Sequence, residues 1–217
     1  DGGDENFHLF AVDVSKEGSK ARDLTPFDGA KAQNVITNKR FPDELLVAVN
    51  ARDKAQFDMY RVQLESGDIK LDTENPGGIV GWGSEDESFE VREGIRVNPD
   101  SSKTVLVRDS TKAEWRDLAV FPYGEEGGMV DFCNDGEHAL MTSSVGRETT
   151  ALTKVKLSDG STTEVIAFND KADCGGIMLD EDTKAVRAVS FNYARTEPTF
   201  FDDELKGHFD RLEGMGP

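Results

Sequence analysis

A hydrolase serine sits in Gly-x-Ser-x-Gly, because small residues must flank a nucleophile held on a strained strand-to-helix turn. No serine of this chain has a glycine two positions before it, so that nucleophile is missing. The chain also lacks the Gly-x-x-x-x-Gly-Lys-Ser/Thr loop whose backbone amides cradle phosphate. It has no His-Glu-x-x-His helix to offer two imidazoles to zinc. The three histidines, His8, His138 and His208, fall in different stretches with no aligned ligand neighbours, which points to structural or surface roles. Cys133 and Cys174 have no Cys-x-x-Cys spacing and read as reduced, buried thiols. Glu85-Asp86-Glu87 and Asp180-Glu181-Asp182 are the clusters that could suggest calcium. A calcium loop needs oxygen ligands at alternating positions around a glycine turn, and neither run offers that, so polar turns are expected. No catalytic residue, metal ligand or cofactor site is assigned.

The elements that would position any site follow a repeat. Leu24, Leu71, Leu118 and Val165 each stand at the centre of a short strand-like segment, about 47 residues after the previous one. Apolar runs precede them at Leu9–Val14, Met59–Leu64, Thr104–Val107 and Leu152–Leu157. Between run and segment lie polar turns such as Glu65-Ser66-Gly67-Asp68 and Ser158-Asp159-Gly160-Ser161. In these, Gly and Asp supply the positive φ and the side-chain hydrogen bonds of tight hairpins. Further upstream, Leu45–Val49, Phe89–Val97, Ala139–Thr142 and Ala185–Val189 recur in step. So do Asn34–Ile36, Val80–Trp82, Met129–Phe132 and Gly176–Met178. Apolar and polar residues mostly alternate in Met59–Leu64 and Ala151–Leu157, the pattern of strands rather than helices.

Four strands per unit, a to d, at a period in the forties select an all-β fold of the β-propeller type over a sandwich. The expected division is strands c and d of one blade over 7–27, then blades over 30–74, 77–121 and 128–167. A partial blade follows over 175–193, so the blades make part of a ring. Phe201, Leu205, Phe209 and Leu212 share one helical face, predicting a short C-terminal helix over 201–213. Asp202 and Asp203 would sit at its positive end, and a flexible Gly-Met-Gly-Pro tail would close the chain. Trp82 and Trp115, with Phe89, Phe121 and Phe132, are expected between blades.

Arg52-Asp53 and Arg147-Glu148 occupy the same b–c connection two repeats apart. Two readings stand side by side. One is a local ion pair or hydrogen-bonded turn. The other is a face that meets a second domain and presents charge to it. These four residues are the candidate interface.

Composition narrows the partners. The 217 residues are 36% hydrophobic, enough to bury a substantial core. Twenty-five Lys plus Arg against 43 Asp plus Glu give a net charge of −18, an acidic protein whose field repels phosphate backbones and anionic headgroups. Neither nucleic acid nor membrane is therefore expected as a partner. Mean hydropathy is −0.54, and no apolar run approaches the roughly 18 residues of a membrane helix. The opening Asp1-Gly2-Gly3-Asp4 shows no charged-then-apolar leader. A soluble protein of the cytoplasm or an organelle lumen is the expectation, as a fragment or a processed product.

Several segments resemble the propeller of the prolyl oligopeptidase family. They begin with Asp4–Asp13 and Arg22-Asp23-Leu24-Thr25-Pro26-Phe27. Asn50-Ala51-Arg52-Asp53, Asp58-Met59-Tyr60-Arg61-Val62, Asn75-Pro76-Gly77 and Gly81-Trp82 continue the likeness. So do Val107-Arg108-Asp109, Glu114-Trp115-Arg116 and Val189-Ser190-Phe191-Asn192-Tyr193. Within that family the likeness is to the dipeptidyl aminopeptidase and acylaminoacyl-peptidase branch. It implies a seven- or eight-bladed propeller followed by an α/β-hydrolase domain with a Ser-Asp-His triad, the propeller restricting which peptides reach it. The first blades, the last blades and the hydrolase have no counterpart in these residues, so no catalytic residue is carried over. The implied partners are the hydrolase domain of the same or parent polypeptide and peptide substrates. The alternative is a propeller scaffold without hydrolase activity, serving inside a larger assembly. A third class, a propeller glycosidase with carboxylates at a central cavity, fits less well because the aligned acids fall in turns.

Overall fold

The computed structural model describes residues 3–215, in two compact units, Asp1–Val120 and Phe121–Pro217. Gly216 and Pro217 of the expected tail lie outside the described residues.

The first unit opens with a two-stranded ribbon, β1 (Phe10–Ala11) and β2 (Arg22–Asp23). The run Leu9–Val14 is thus only briefly a strand, and Val14 points almost wholly into solvent. A four-stranded sheet follows in chain order: β3 (Ala32–Thr37), β4 (Glu44–Asp53), β5 (Gln56–Gln63) and β6 (Ile69–Thr73). A second has β7 (Ile79–Ser84), β8 (Val91–Val97), β9 (Lys103–Val107) and β10 (Arg116–Phe121). The connections are as short as this meander demands. At the β5–β6 hairpin Gly67 takes φ 79° and donates its N–H to Gln63 O at 2.8 Å. That left-handed conformation is open to glycine at little cost.

Inner strands are buried on both faces. On β4, Leu45, Val47 and Val49 pack toward Leu24 and the first ribbon, while Leu46 and Ala48 pack with Met59 against Ile79, Trp82, Phe89, Val91 and Leu106 of the next sheet. This double burial replaces clean alternation with continuous apolar runs. Trp82 and Trp115 meet here with ring centroids 5.9 Å apart, as expected of residues between blades. Outer strands behave differently. Leu24 and Leu118 are buried, but Leu71, and Val165 in the second unit, are about half exposed. The shared position marks the outermost strand and not a shared core site.

The second unit holds a four-stranded sheet of β11 (Gly127–Phe132), β12 (His138–Ser143), β13 (Ala151–Lys156) and β14 (Thr162–Ala167). A three-stranded sheet follows, β15 (Cys174–Leu179), β16 (Val186–Asn192) and β17 (Thr196–Phe200), and the unit ends in α1 (Asp203–Gly214). Leu140 and Leu152 of one sheet pack on Val189 and Phe191 of the other. The strand β17 is a correction to the sequence reading, which ended the sheet with β16. Its centre is Pro198, opposite Ser190. Phe201 N donates to Arg187 O, and ladder bonds alternate from that pair, so Pro198 takes a non-bonded position where its missing N–H faces outward. An edge strand tolerates proline in that place.

Asp202 caps α1 by accepting from Leu205 N at 2.9 Å, and its other oxygen accepts from Arg187 Nε at 2.6 Å. Only Leu205 and Phe209 use the expected apolar face; Leu205 is buried and Phe209 meets Phe200 at 5.0 Å. The helix starts at Asp203 and not at 201, which leaves Phe201 half exposed with its N–H donated to Arg187 O, and Leu212 faces solvent; both are further corrections.

Asp135 ties the β11–β12 turn to β13. Burial raises its carboxyl, but the Lys154 ammonium at 2.9 Å, the Glu137 and His138 amides and the His138 ring outweigh that, holding it far below the usual range. A carboxyl depressed in the folded state stabilises fully above its unfolded value and loses that contribution as pH falls through the folded one. The thermal midpoint of the second unit is therefore expected to be flat from neutrality to about pH 5 and to drop below about pH 4. Asp135→Asn makes this acid limb shallower, as measured by melting curves across pH. An unchanged limb in the variant contradicts the assignment.

Candidate functional surface

The predicted interface residues lie on second-to-third-strand connections, each pair on its own sheet. Asp53 closes the β4–β5 turn, its Oδ1 accepting from Ala55 N at 2.9 Å. Arg52 is engaged within its own sheet. Its Nε and Nη2 donate to the two oxygens of Asp58 at 2.9 and 2.8 Å, and Nη1 lies 3.6 Å from Glu74. The Asp58 carboxylate raises the Arg52 pKa further.

Asp58 is fully buried and also accepts from Asn75 N at 2.8 Å. Asn75 in turn donates to Phe57 O and Ile79 O and accepts from Gly77 N and Ile79 N. One fork-shaped guanidinium and one amide thus fasten the hairpin to the connection leading to β7. Of the two readings given to Arg52-Asp53, the local one describes this geometry. No signal in the neighbourhood of Arg52 pairs it with Asp58, and Asn75 lies farther along still.

Arg147 and Glu148 differ. They stand in the connection between β12 and β13, where the Arg147 guanidinium lies 6.0 Å from the ring of Phe168, itself about half exposed. No carboxylate among the described residues pairs with Arg147, and Glu148 is exposed. The neighbouring connection from β14 to β15 and the β16–β17 hairpin complete this end of the unit. Together they line a polar pocket of about 280 Å³ that includes Asn169, Lys171, Phe191, Tyr193 and Arg195. Sequence reasoning did not select these residues, although Phe191-Asn192-Tyr193 carries part of the family resemblance.

His8 Nδ1 lies 2.7 Å from Asp23 and His138 Nδ1 lies 3.0 Å from Asp135, and no hydroxyl or thiol among the described residues completes either pair. His208 is an exposed residue of α1. Both cysteines are free and half-buried, packed against the core shared by the two sheets of the second unit, and burial raises both thiols. A raised thiol is a poor nucleophile at neutral pH. Among the described residues no three His, Cys, Asp or Glu side chains gather as a metal site. The two acid runs are turns: Glu85 accepts from the Glu87 and Ser88 amides, and Asp180 from those of Asp182 and Thr183. No helix is long and apolar enough to cross a membrane.

No protein-family model matches the chain. It is 35% identical over 221 residues to dipeptidyl aminopeptidase BIII of Pseudoxanthomonas mexicana, an alignment covering 100% of this chain and 31% of that protein. The chain therefore spans about a third of the length of that relative. Among solved structures, puromycin hydrolase superposes with a TM-score of 0.60 at 12% identity, covering 86% of this chain and 32% of the other. TolB from Acinetobacter baumannii gives 0.59 at 11% identity, over 91% and 47%. The β-propeller domain of Cps50 (Swd1) from Myceliophteria thermophila gives 0.51 at 12% identity, over 90% and 64%. At such identities the structural likeness shows the fold alone, a β-propeller.

Proposed function

We propose, from the premise that this chain belongs to the propeller portion of the prolyl oligopeptidase family, that it gates substrate for a peptidase without taking part in bond cleavage. The observation that carries this is the end-to-end 35% identity to part of a dipeptidyl aminopeptidase. The missing nucleophile elbow agrees with it: the chain brings shape and no chemistry.

The mechanism is steric. Blades whose inner strands are buried on both faces make a stiff wall, because opening one sheet exposes two cores at once. A wall of this kind beside an active site passes short or unfolded peptides and turns away folded proteins. The hydrolase domain of the parent polypeptide is the partner, and the connection bearing Arg147 and Glu148 is where charge is offered to it. Arg52 is spent on Asp58 and contributes only through the shape of its loop.

The test uses the full parent polypeptide. Its kcat/KM toward a short peptide is expected to exceed that toward the same sequence displayed on a folded protein by about 100-fold or more, a barrier difference of about 2.7 kcal/mol. Arg147→Ala/Glu148→Ala is expected to reduce that ratio while leaving short-peptide turnover unchanged. Equal rates on short and folded substrates would remove the gating reading.

A further inference from the structure

We propose that the pocket between the β14–β15 connection and the β16–β17 hairpin binds a peptide carboxylate. The pocket has an apolar floor in Phe191, which is buried, and a rim of hydrogen-bond donors. Asn169 Oδ1 is occupied by Lys171 N at 2.8 Å, so the Asn169 amide is left to donate. Lys171 and Tyr193 have no side-chain partner among the described residues. Arg195 gives Nε to Glu197 at 3.1 Å and keeps its two terminal nitrogens. Four donor groups therefore surround a space of about 280 Å³. The rim also carries two carboxylates, Asp170 and Glu197, the latter paired with Arg195, so directed donors and not net positive charge would hold an incoming anion.

In a chain of net charge −18 this pocket gathers an ammonium, a guanidinium, an amide and a phenol in one place. Presentation favours binding as well. Tyr193-Ala194-Arg195 is a three-residue loop between paired Asn192 and Thr196, so its side chains project from a short hairpin turn. Tyr193 is 74% exposed, and the Arg195 side chain is 83% exposed. Tyrosine and arginine are among the residue types that most often anchor an interface, and a turn of three residues has few residues to order when it engages. The volume suits one or two residues, so the ligand is a peptide end or a single acidic side chain. That the carboxylate comes from a peptide rests on the peptidase reading; that the pocket takes an anion rests on its donors alone.

Isothermal titration of the 217-residue chain with three pentapeptides tests this. One carries an internal aspartate and an amidated end, one is neutral with a free C-terminal carboxylate, and one is neutral and amidated. At least one of the first two is expected to bind tenfold or more tightly than the third, and which of them does so identifies the source of the carboxylate. Binding should weaken with added salt. Lys171→Ala/Arg195→Gln should abolish the preference while the melting temperature stays put, since both side chains are exposed. Equal binding of all three peptides, no binding of any, or an unaltered preference in the double variant overturns the pocket. If size discrimination by the full parent persists in that case, only this inference falls and the gating reading survives.

Discussion

Asp58→Ala is expected to lower the unfolding free energy of the first unit by about 2–3 kcal/mol, the cost of losing charge-assisted hydrogen bonds and leaving a buried donor unsatisfied. The carboxylate it removes is fully buried and holds three donors: two from Arg52 and the amide of Asn75. Alanine leaves the Asn75 N–H facing a hole that few waters can enter, while Arg52, whose side chain is 41% exposed, keeps water and Glu74 as partners. Tryptophan fluorescence during urea unfolding reads the result cleanly, because both tryptophans of the chain, Trp82 and Trp115, lie in this unit. The Trp82 indole donates to Phe57 O, one residue from the substitution. Asp58→Asn keeps the shape and one acceptor and should fall between wild type and alanine. A loss below about 1 kcal/mol for alanine, the level of an exposed pair, would mean that Asp58 is not the hub.

The same cluster shows what the sequence conceals. Strands β4, β9 and β12 were legible because burial on two faces writes them as apolar runs of strand length, and β5 and β13 because apolar and polar residues alternate in them, with turn residues between. Strand β17 was not. Thr196, Glu197, Pro198 and Thr199 are exposed on an edge, where neither apolar pattern nor propensity marks a strand, and the proline argued against one. The apolar face of α1 was read too wide: Phe201 precedes the helix and Leu212 lies beyond its core, since periodicity reports which residues could face a core and not how far the helix or the core extends. Arg52 is the same kind of case at a candidate site. Its charge and its place in the repeat were visible, but its partners were set by strand register, which pairs Val49 with Asp58 and carries Arg52 alongside. The pocket around Lys171 and Tyr193 is assembled from two connections, and nothing local announces that they meet.

The other large effect concerns a residue whose backbone and side chain pull in opposite directions. Phe89 has φ 53°, a left-handed conformation that a bulky side chain adopts at a cost of about 1–3 kcal/mol. It is nevertheless fully buried, stacked on Phe41 with centroids 5.4 Å apart and beneath the Arg61 guanidinium at 5.1 Å. Arg61 also donates to Phe89 O at 2.7 Å, while Glu44 and Asp72 hold its other nitrogens. Ring burial and this clamp offset the strain. Phe89→Ala removes the ring and keeps the strain, so a loss of about 3–5 kcal/mol is expected, in the range for a buried phenylalanine truncated to alanine. Phe89→Gly removes the ring and the strain together. Glycine in an ordinary strand is worse than alanine by up to about 1 kcal/mol; here it should be equal or better. The urea midpoints of the two variants, followed by the same tryptophans, decide the matter. If glycine proves clearly worse than alanine, the positive φ stores no strain, and burial alone accounts for the position.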